Sequence, residues 1–342
     1  MPQATAEDLG TAHYLQQQRT VRRAADNAQL LWLAADPGDL DREWATLGPA
    51  LVQNVTDGQL RAATPSQDYV AAVIAADNAL SAPAGTVRAG AFAGRAADGR
   101  PLLSLLYESV IETKWRMLAG EQSAREAARG GLNTLLRATT TEVADAGRDA
   151  TGVAITTNWT TTGYVRVLSP PSCARCVALA GVFYRHNQGF ARHPRCDCTH
   201  MPVTRGHPRA RAQAENSPRA YFDSLSPAEQ DKVFTIKGAE AIRDGGDITQ
   251  IVNARRRDAN RPGMYTAEIG GARLKSTYDG TGRRGIFARR ERERAIRLGL
   301  VPPSGKGFRL TTHRLLPEEI YRQAGSDRAL AIKMLRRYAY II

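Results

Sequence analysis

Apolar residues recur at helical spacing through the first 150 positions. From Ala6 to Ala35 the chain carries Leu15, Val21, Leu30, Leu31 and Leu33, an irregular stripe that Asp36-Pro37-Gly38 ends. Asp39 is placed to cap a second helix with Leu40, Trp44, Leu47 and Leu51 on one face. A third run, Tyr69 to Leu80, stops before Pro83-Ala84-Gly85, and the Gly- and Ala-rich stretch to Arg100 reads as a loop. Pro101 opens a long helix through Met117, and a further helix covers Ser123 to Gly147. Trp32, Trp44 and Trp115 sit on these helical faces and read as packing residues.

Strand character is concentrated in the middle of the chain. Val153-Ala154-Ile155 and Thr156 to Val167 are rich in Thr, Val and aromatics, with Gly163 as a turn, and Met201-Pro202-Val203 closes the region. Helical signals return at Ser226-Pro227-Ala228-Glu229, a capping box with proline at the first helical position. Asp244-Gly245-Gly246 interrupts, and Asp247 caps a helix through Ile251 and Val252. Pro317-Glu318-Glu319 starts a helix that Gly325 stops. Ser326-Asp327 then caps a last one in which Ala331, Leu335, Tyr338 and Ile342 share a face. The pattern predicts a predominantly helical α+β protein in three parts. These are a helical region over 1–150, a small mixed core over 151–255, and an extension over 256–342 that ends in two helices.

Charge sharpens this division. The net charge is +13, and residues 253–342 alone hold 21 Lys/Arg against 8 Asp/Glu, whereas residues 1–252 hold 26 of each. The excess is almost entirely arginine, which suits phosphate and carboxylate contacts. Arg255, Arg256, Arg257, Arg289, Arg290, Arg292 and Arg294 are the candidate contacts to DNA or another polyanion. The run from Arg289 to Arg294 alternates with Glu291 and Glu293, as a solvated helix face would. No apolar run approaches the ~20 residues that cross a bilayer. The N-terminal MPQATAEDLG has neither the basic nor the apolar part of a signal peptide, so a soluble chain with no membrane partner is expected.

The chemistry is crowded into one short segment. All four cysteines lie between 173 and 198, as Cys173-x-x-Cys176 followed by His193-Pro194-x-Cys196-x-Cys198. Cys-x-x-Cys is the knuckle spacing that folds two thiolates onto one Zn²⁺, and a histidine beside soft thiolates completes a tetrahedral set. A hairpin from Val182-Phe183-Tyr184 through a turn near Gly189 to Phe190 would return the second half to the first. Five donors compete for four positions, so the ligand set stays open, and the competing reading of the cluster is disulfides or idle thiols. A structural zinc is expected rather than a catalytic one. A catalytic metal needs an open position and a neighbouring acid or base, and Asp197 is the sole local carboxylate. No catalytic residue emerges. Neither a Gly-x-Ser-x-Gly elbow nor a His-Glu-x-x-His is present, and His13, His186, His200, His207 and His313 are scattered.

Cys173-x-x-Cys176-x-x-Leu179-x-Gly181-x-x-Tyr184, then His193-Pro194-x-Cys196-x-Cys198 and Pro202-Val203, resembles the signature of the phage Mu F-like (MuF) minor head proteins. Two further stretches look like the regions downstream of that signature in versions from actinobacterial phages. One runs from Ser226 to Gln230 and on through Asp244-Gly245-Gly246-Asp247 to Val252-Asn253-Ala254-Arg255. The other is the ending with Glu318-Glu319-Ile320-Tyr321 and Leu335-Arg336-Arg337-Tyr338. The chain departs from the family pattern at Asp197, where a basic residue is usual, and at Phe183-Tyr184, where the aromatic is displaced. The resemblance implies a minor capsid protein of head morphogenesis, present in few copies. It would associate with the portal protein, the major capsid or scaffold protein and packaged DNA, and support packaging or ejection. Its place would be the capsid interior or portal vertex of the virion, reached from the host cytoplasm during assembly. Two alternatives remain: a zinc-stapled nuclease, and the capsid maturation protease that related phage proteins are often labelled.

Overall fold

The computed structural model describes residues 4–120, 122–168, 172–186, 199–205, 217–256, 263–304 and 308–342. The chain is α+β and predominantly helical, with two three-stranded antiparallel sheets among the described residues. It divides into two compact units. One comprises residues 1–172 and 180–216, the other 173–179 and 217–342.

The first unit is built on α1 (Ala6–Ala34), α2 (Leu40–Ala63), α3 (Ser66–Ala76), α4 (Leu102–Leu118) and α5 (Ala124–Thr156). Capping boxes at Thr5/Asp8 and Ser123/Glu126 satisfy the first free amides of α1 and α5. The central helix is α5, which packs against each of the other four. Leu47, Leu51 and Val55 of α2, Leu102, Leu106 and Val110 of α4, and Leu135 and Val143 of α5 form the main core.

The α1 face differs from the leucine stripe that the sequence suggested. Its buried residues are Gly10, His13, Tyr14, Gln17, Ala24, Ala28 and Trp32, while Leu15, Leu30 and Leu33 are exposed. Small side chains at 24 and 28 let α2 approach closely, and Trp32 fills the far end, where its indole N–H donates to the Ala128 carbonyl. Trp32 and Trp44 pack as expected, but Trp115 is 68% exposed.

A second correction concerns Val153-Ala154-Ile155, which form the last turn of α5 rather than a strand. Ala154 and Ile155 are buried against Tyr69, Val70, Val73 and Ile74 of α3, and this packing outweighs the β preference of the branched residues. After the turn comes β1 (Thr161–Val167), flanked on one side by β2 (Phe183–Arg185) and on the other by β3 (Thr199–Thr204). Gly163 lies inside β1, not at a turn. A Cβ there would stand 2.1 Å from the Tyr184 carbonyl oxygen, so only glycine lets β2 pair. Because β2 and β3 pair with opposite edges of β1, they do not pair with each other. The hairpin expected through Gly189 and Phe190 lies outside the described residues.

The second unit holds α6 (Ala174–Ala178), α7 (Pro218–Ser224), α8 (Pro227–Phe234), α9 (Ile236–Arg243) and α10 (Ile248–Asn253). Ser226 and Glu229 form the predicted capping box on α8, and the Asp247 carboxylate accepts from the Gln250 amide at the start of α10. Strands missed in the sequence come next: β4 (Met264–Ile269) and β5 (Ala272–Thr277), with β6 (Arg314–Leu315) added to β5. Gly270 and Gly271 join the hairpin with φ of 58° and 78°, as a two-residue turn between right-twisted strands requires.

Helices α11 (Ile286–Arg297), α12 (Pro317–Ala324) and α13 (Arg328–Arg337) complete the unit. Ala331 and Leu335 are buried as predicted, yet Ile342 does not share their face. The helix ends at Arg337, Ala339 takes a positive φ of 59°, and Tyr340 turns inward while Ile342 stays exposed.

Arg314 is the polar centre of this unit, with a fully buried side chain. Its guanidinium donates to the carbonyls of Tyr338, Ala339 and Asp279, to the Asp279 carboxylate at 2.9 Å and to Gln250 Oε1. One cation thus ties β6 to the turn after β5, to α10 and to the final residues.

Candidate functional site

Cys173, with extended backbone angles, stands at the N-cap of α6, and Cys176 lies one turn later inside it. The Val177 amide donates to the Cys173 carbonyl at 3.0 Å, which closes the loop between the two side chains. Both are reduced thiols, Cys176 buried and Cys173 exposed, and the Cys173 thiol donates to Cys176 Sγ at 3.5 Å. Two thiolates bound to one tetrahedral Zn²⁺ at about 2.3 Å would lie about 3.8 Å apart. The observed separation lies close to that distance, and it is equally that of a thiol–thiol hydrogen bond.

His193, Cys196 and Cys198 lie outside the described residues. Among the described residues no three histidines, cysteines or carboxylates come together as a metal site. Strand β3 opens at Thr199, the residue after Cys198.

The basic candidates divide by what their guanidiniums do. Arg255 is tied to Glu318 and to the Ile251 carbonyl. Arg290 donates to the carbonyls of Arg336 and Ile341, fastening α11 to the end of the chain. Arg294 faces the buried Glu291 at 3.8 Å, and Arg337 approaches the same carboxylate at 3.7 Å. Arg256 and Arg289 are exposed and Arg292 half-buried, and none of the three has an ion-pair partner among the described residues. Arg257 lies outside them. The run read as a solvated helix is thus two-sided. Glu291 and Arg290 hold the fold, whereas Arg289 is exposed and Arg292 half-buried.

Four of the scattered histidines, His13, His186, His200 and His313, have defined settings. The His313 ring is 2.8 Å from the Tyr265 hydroxyl, and His186 Nε2 is 3.3 Å from the Thr161 hydroxyl. His13 stacks on Tyr69 with ring centroids 4.0 Å apart, and the Tyr69 hydroxyl donates to the His200 carbonyl. His13, Gln17, Arg148, Thr151, Thr199 and His200 line one small cavity of about 20 Å³, room for a water molecule or two. Burial pushes the His13 imidazole down to about 4 and the Tyr69 phenol up, so both are neutral near pH 7. No sequence signal could have joined positions 13 and 200, because the packing of α1 and α3 against β3 brings them together. His207 lies outside the described residues.

Comparison with known proteins gives no match to a family model, to a curated protein or to a solved structure. No helix among the described residues is long and apolar enough to cross a membrane.

Proposed function

We propose that this chain is a MuF-like minor head protein, acting in phage head morphogenesis at the portal or inner head and supporting DNA packaging or ejection. The observation that carries the reading is the Cys173/Cys176 knuckle with thiols 3.5 Å apart, standing at the head of the motif His193-Pro194-x-Cys196-x-Cys198. Zinc would be held by Cys173 and Cys176 with two of His193, Cys196 and Cys198, and would supply folding energy rather than chemistry. The helical first unit would meet portal, capsid or scaffold protein, and the outward arginines of the second would meet DNA or acidic surfaces. The test is removal of the chain from a particle-producing phage. Shells of normal size with a titre reduced at least tenfold, rescued by wild type and not by Cys173→Ser/Cys176→Ser, support the reading. An undiminished titre would overturn it.

A further inference from the structure

The first unit is close to neutral in its sequence, yet one groove on it is positive. Helices α1 and α2 run antiparallel. Gln17 Nε2 donates to the Ala62 carbonyl at 2.7 Å, and Asn54 Nδ2 donates to the Ala24 carbonyl at 2.8 Å. Between these two ties a groove of about 210 Å³ opens, with Ala24 and Gly58 in its lining. That is several times the ~30 Å³ of one liquid water, so a polyatomic ion fits.

Arg19 and Arg23, one helical turn apart on α1, line one wall, and Arg61 of α2 lines the other. None of the three is in an ion pair or hydrogen bond among the described residues. The one carboxylate in the lining, Asp57, accepts from Gln53. Three guanidiniums and one carboxylate leave the groove two positive charges in excess. The three side chains are exposed, and like charges one turn apart repel weakly, a repulsion that a bound anion would relieve. Arginine forks offer paired N–H donors to tetrahedral oxyanions, and a phosphate monoester carries about −1.5 to −2 at pH 7, matching the excess.

We infer that the Arg19–Arg23–Arg61 groove binds a phosphate group, held by the three guanidiniums against the floor formed by Ala24 and Gly58. Its source is either a free small phosphate or the terminal phosphate of a nucleic acid. A long stretch of nucleic-acid backbone does not fit, because such binding needs many cations in a row and this groove is a single focus in a neutral unit. The inference does not depend on the proposed function.

The test is thermal unfolding of the full chain in millimolar sodium phosphate against sodium chloride and sodium acetate at equal ionic strength. The comparison chain is Arg19→Gln/Arg23→Gln/Arg61→Gln. General salt effects and the basic second unit act on both chains alike, so the difference between them reports the groove. Phosphate should raise the midpoint of the wild-type chain above that of the triple variant, and acetate should not. The single changes Arg23→Gln and Arg61→Gln should each weaken phosphate binding at least fivefold, and Asp57→Asn should tighten it severalfold. A greater effect of a 5′-phosphorylated oligonucleotide than of its unphosphorylated form assigns the source to nucleic-acid ends. An effect of inorganic phosphate alone assigns it to small phosphates. Equal phosphate response in wild type and triple variant, equal response to acetate, or an unchanged affinity in Asp57→Asn would each overturn the inference.

Discussion

The guanidinium of Arg314 lies 4.4 Å from the ring centroid of Tyr340, and both side chains are fully buried. The tyrosine gives the cation a π-face while its own hydroxyl donates to the Leu315 carbonyl, the residue next to Arg314. Strand β6 and the final residues are thereby fixed to one another through a single pair.

Replacing Arg314 should therefore be the most damaging single change in the second unit. Arg314→Met strips donors from three carbonyls and from Asp279, and breaking one side of a buried ion pair costs about 3–5 kcal/mol. Arg314→Lys should recover little of this, since an ammonium cannot reproduce the planar fork. Urea titration followed by circular dichroism checks it. A loss below 1 kcal/mol in both variants, on the order of a surface pair, would remove Arg314 from the centre of the unit.

His13 makes stability pH-dependent in a defined direction. Its folded pKa of about 4 lies below the ordinary histidine value because burial disfavours the cation. The unfolded chain takes up the proton first as pH falls. The contribution is thus complete above about pH 6.5 and is lost on the way down to about 4, with a size of about 3 kcal/mol. His13→Phe keeps the stack on Tyr69 and should flatten the profile over that window. An unaltered profile in His13→Phe would assign the dependence to other groups.

The knuckle predicts one Zn²⁺ per chain. Cys173→Ser/Cys176→Ser should lose the metal and aggregate on mild heating, because binding energy at such a site is folding energy. Elemental analysis of protein prepared without chelator reads the stoichiometry. Metal-free protein with oxidised cysteines would remove zinc from the account.

If the second unit meets DNA through phosphates, binding should ignore sequence and weaken steeply with salt. Arg289→Gln/Arg292→Gln should reduce the slope of log K against log salt by about 2, since each phosphate contact contributes about 0.9. Arg290→Gln should act differently, loosening the end of the chain by freeing the carbonyls of Arg336 and Ile341. A slope that the double variant leaves unchanged would move these arginines to protein contacts.

Local signals in the sequence held at most caps and failed at one, where Asp39 stands at the N-cap of α2 without a capping hydrogen bond. The capping box at Ser226/Glu229, the Asp247 cap and the Gly325 stop all stand where the residue pattern puts them. The other failures depended on tertiary context. Ile155 looks like a strand residue but packs from the end of a 33-residue helix, and the buried face of α1 is made of Ala24, Ala28 and Trp32 rather than its leucines. The β4–β5 hairpin does carry a local signal, Gly270-Gly271 between two short runs. For the candidate site, spacing alone brought out the Cys173/Cys176 pair. The groove of Arg19, Arg23 and Arg61 needed the antiparallel packing of α1 on α2 and could not be read from either helix alone.

If this chain is a minor component of a phage head, as proposed, quantitative mass spectrometry of purified particles will detect it. Peptides from both units should be present in intact particles, at a copy number comparable to the portal protein and far below the major capsid protein. Particles that package DNA normally and contain none of this chain would contradict it.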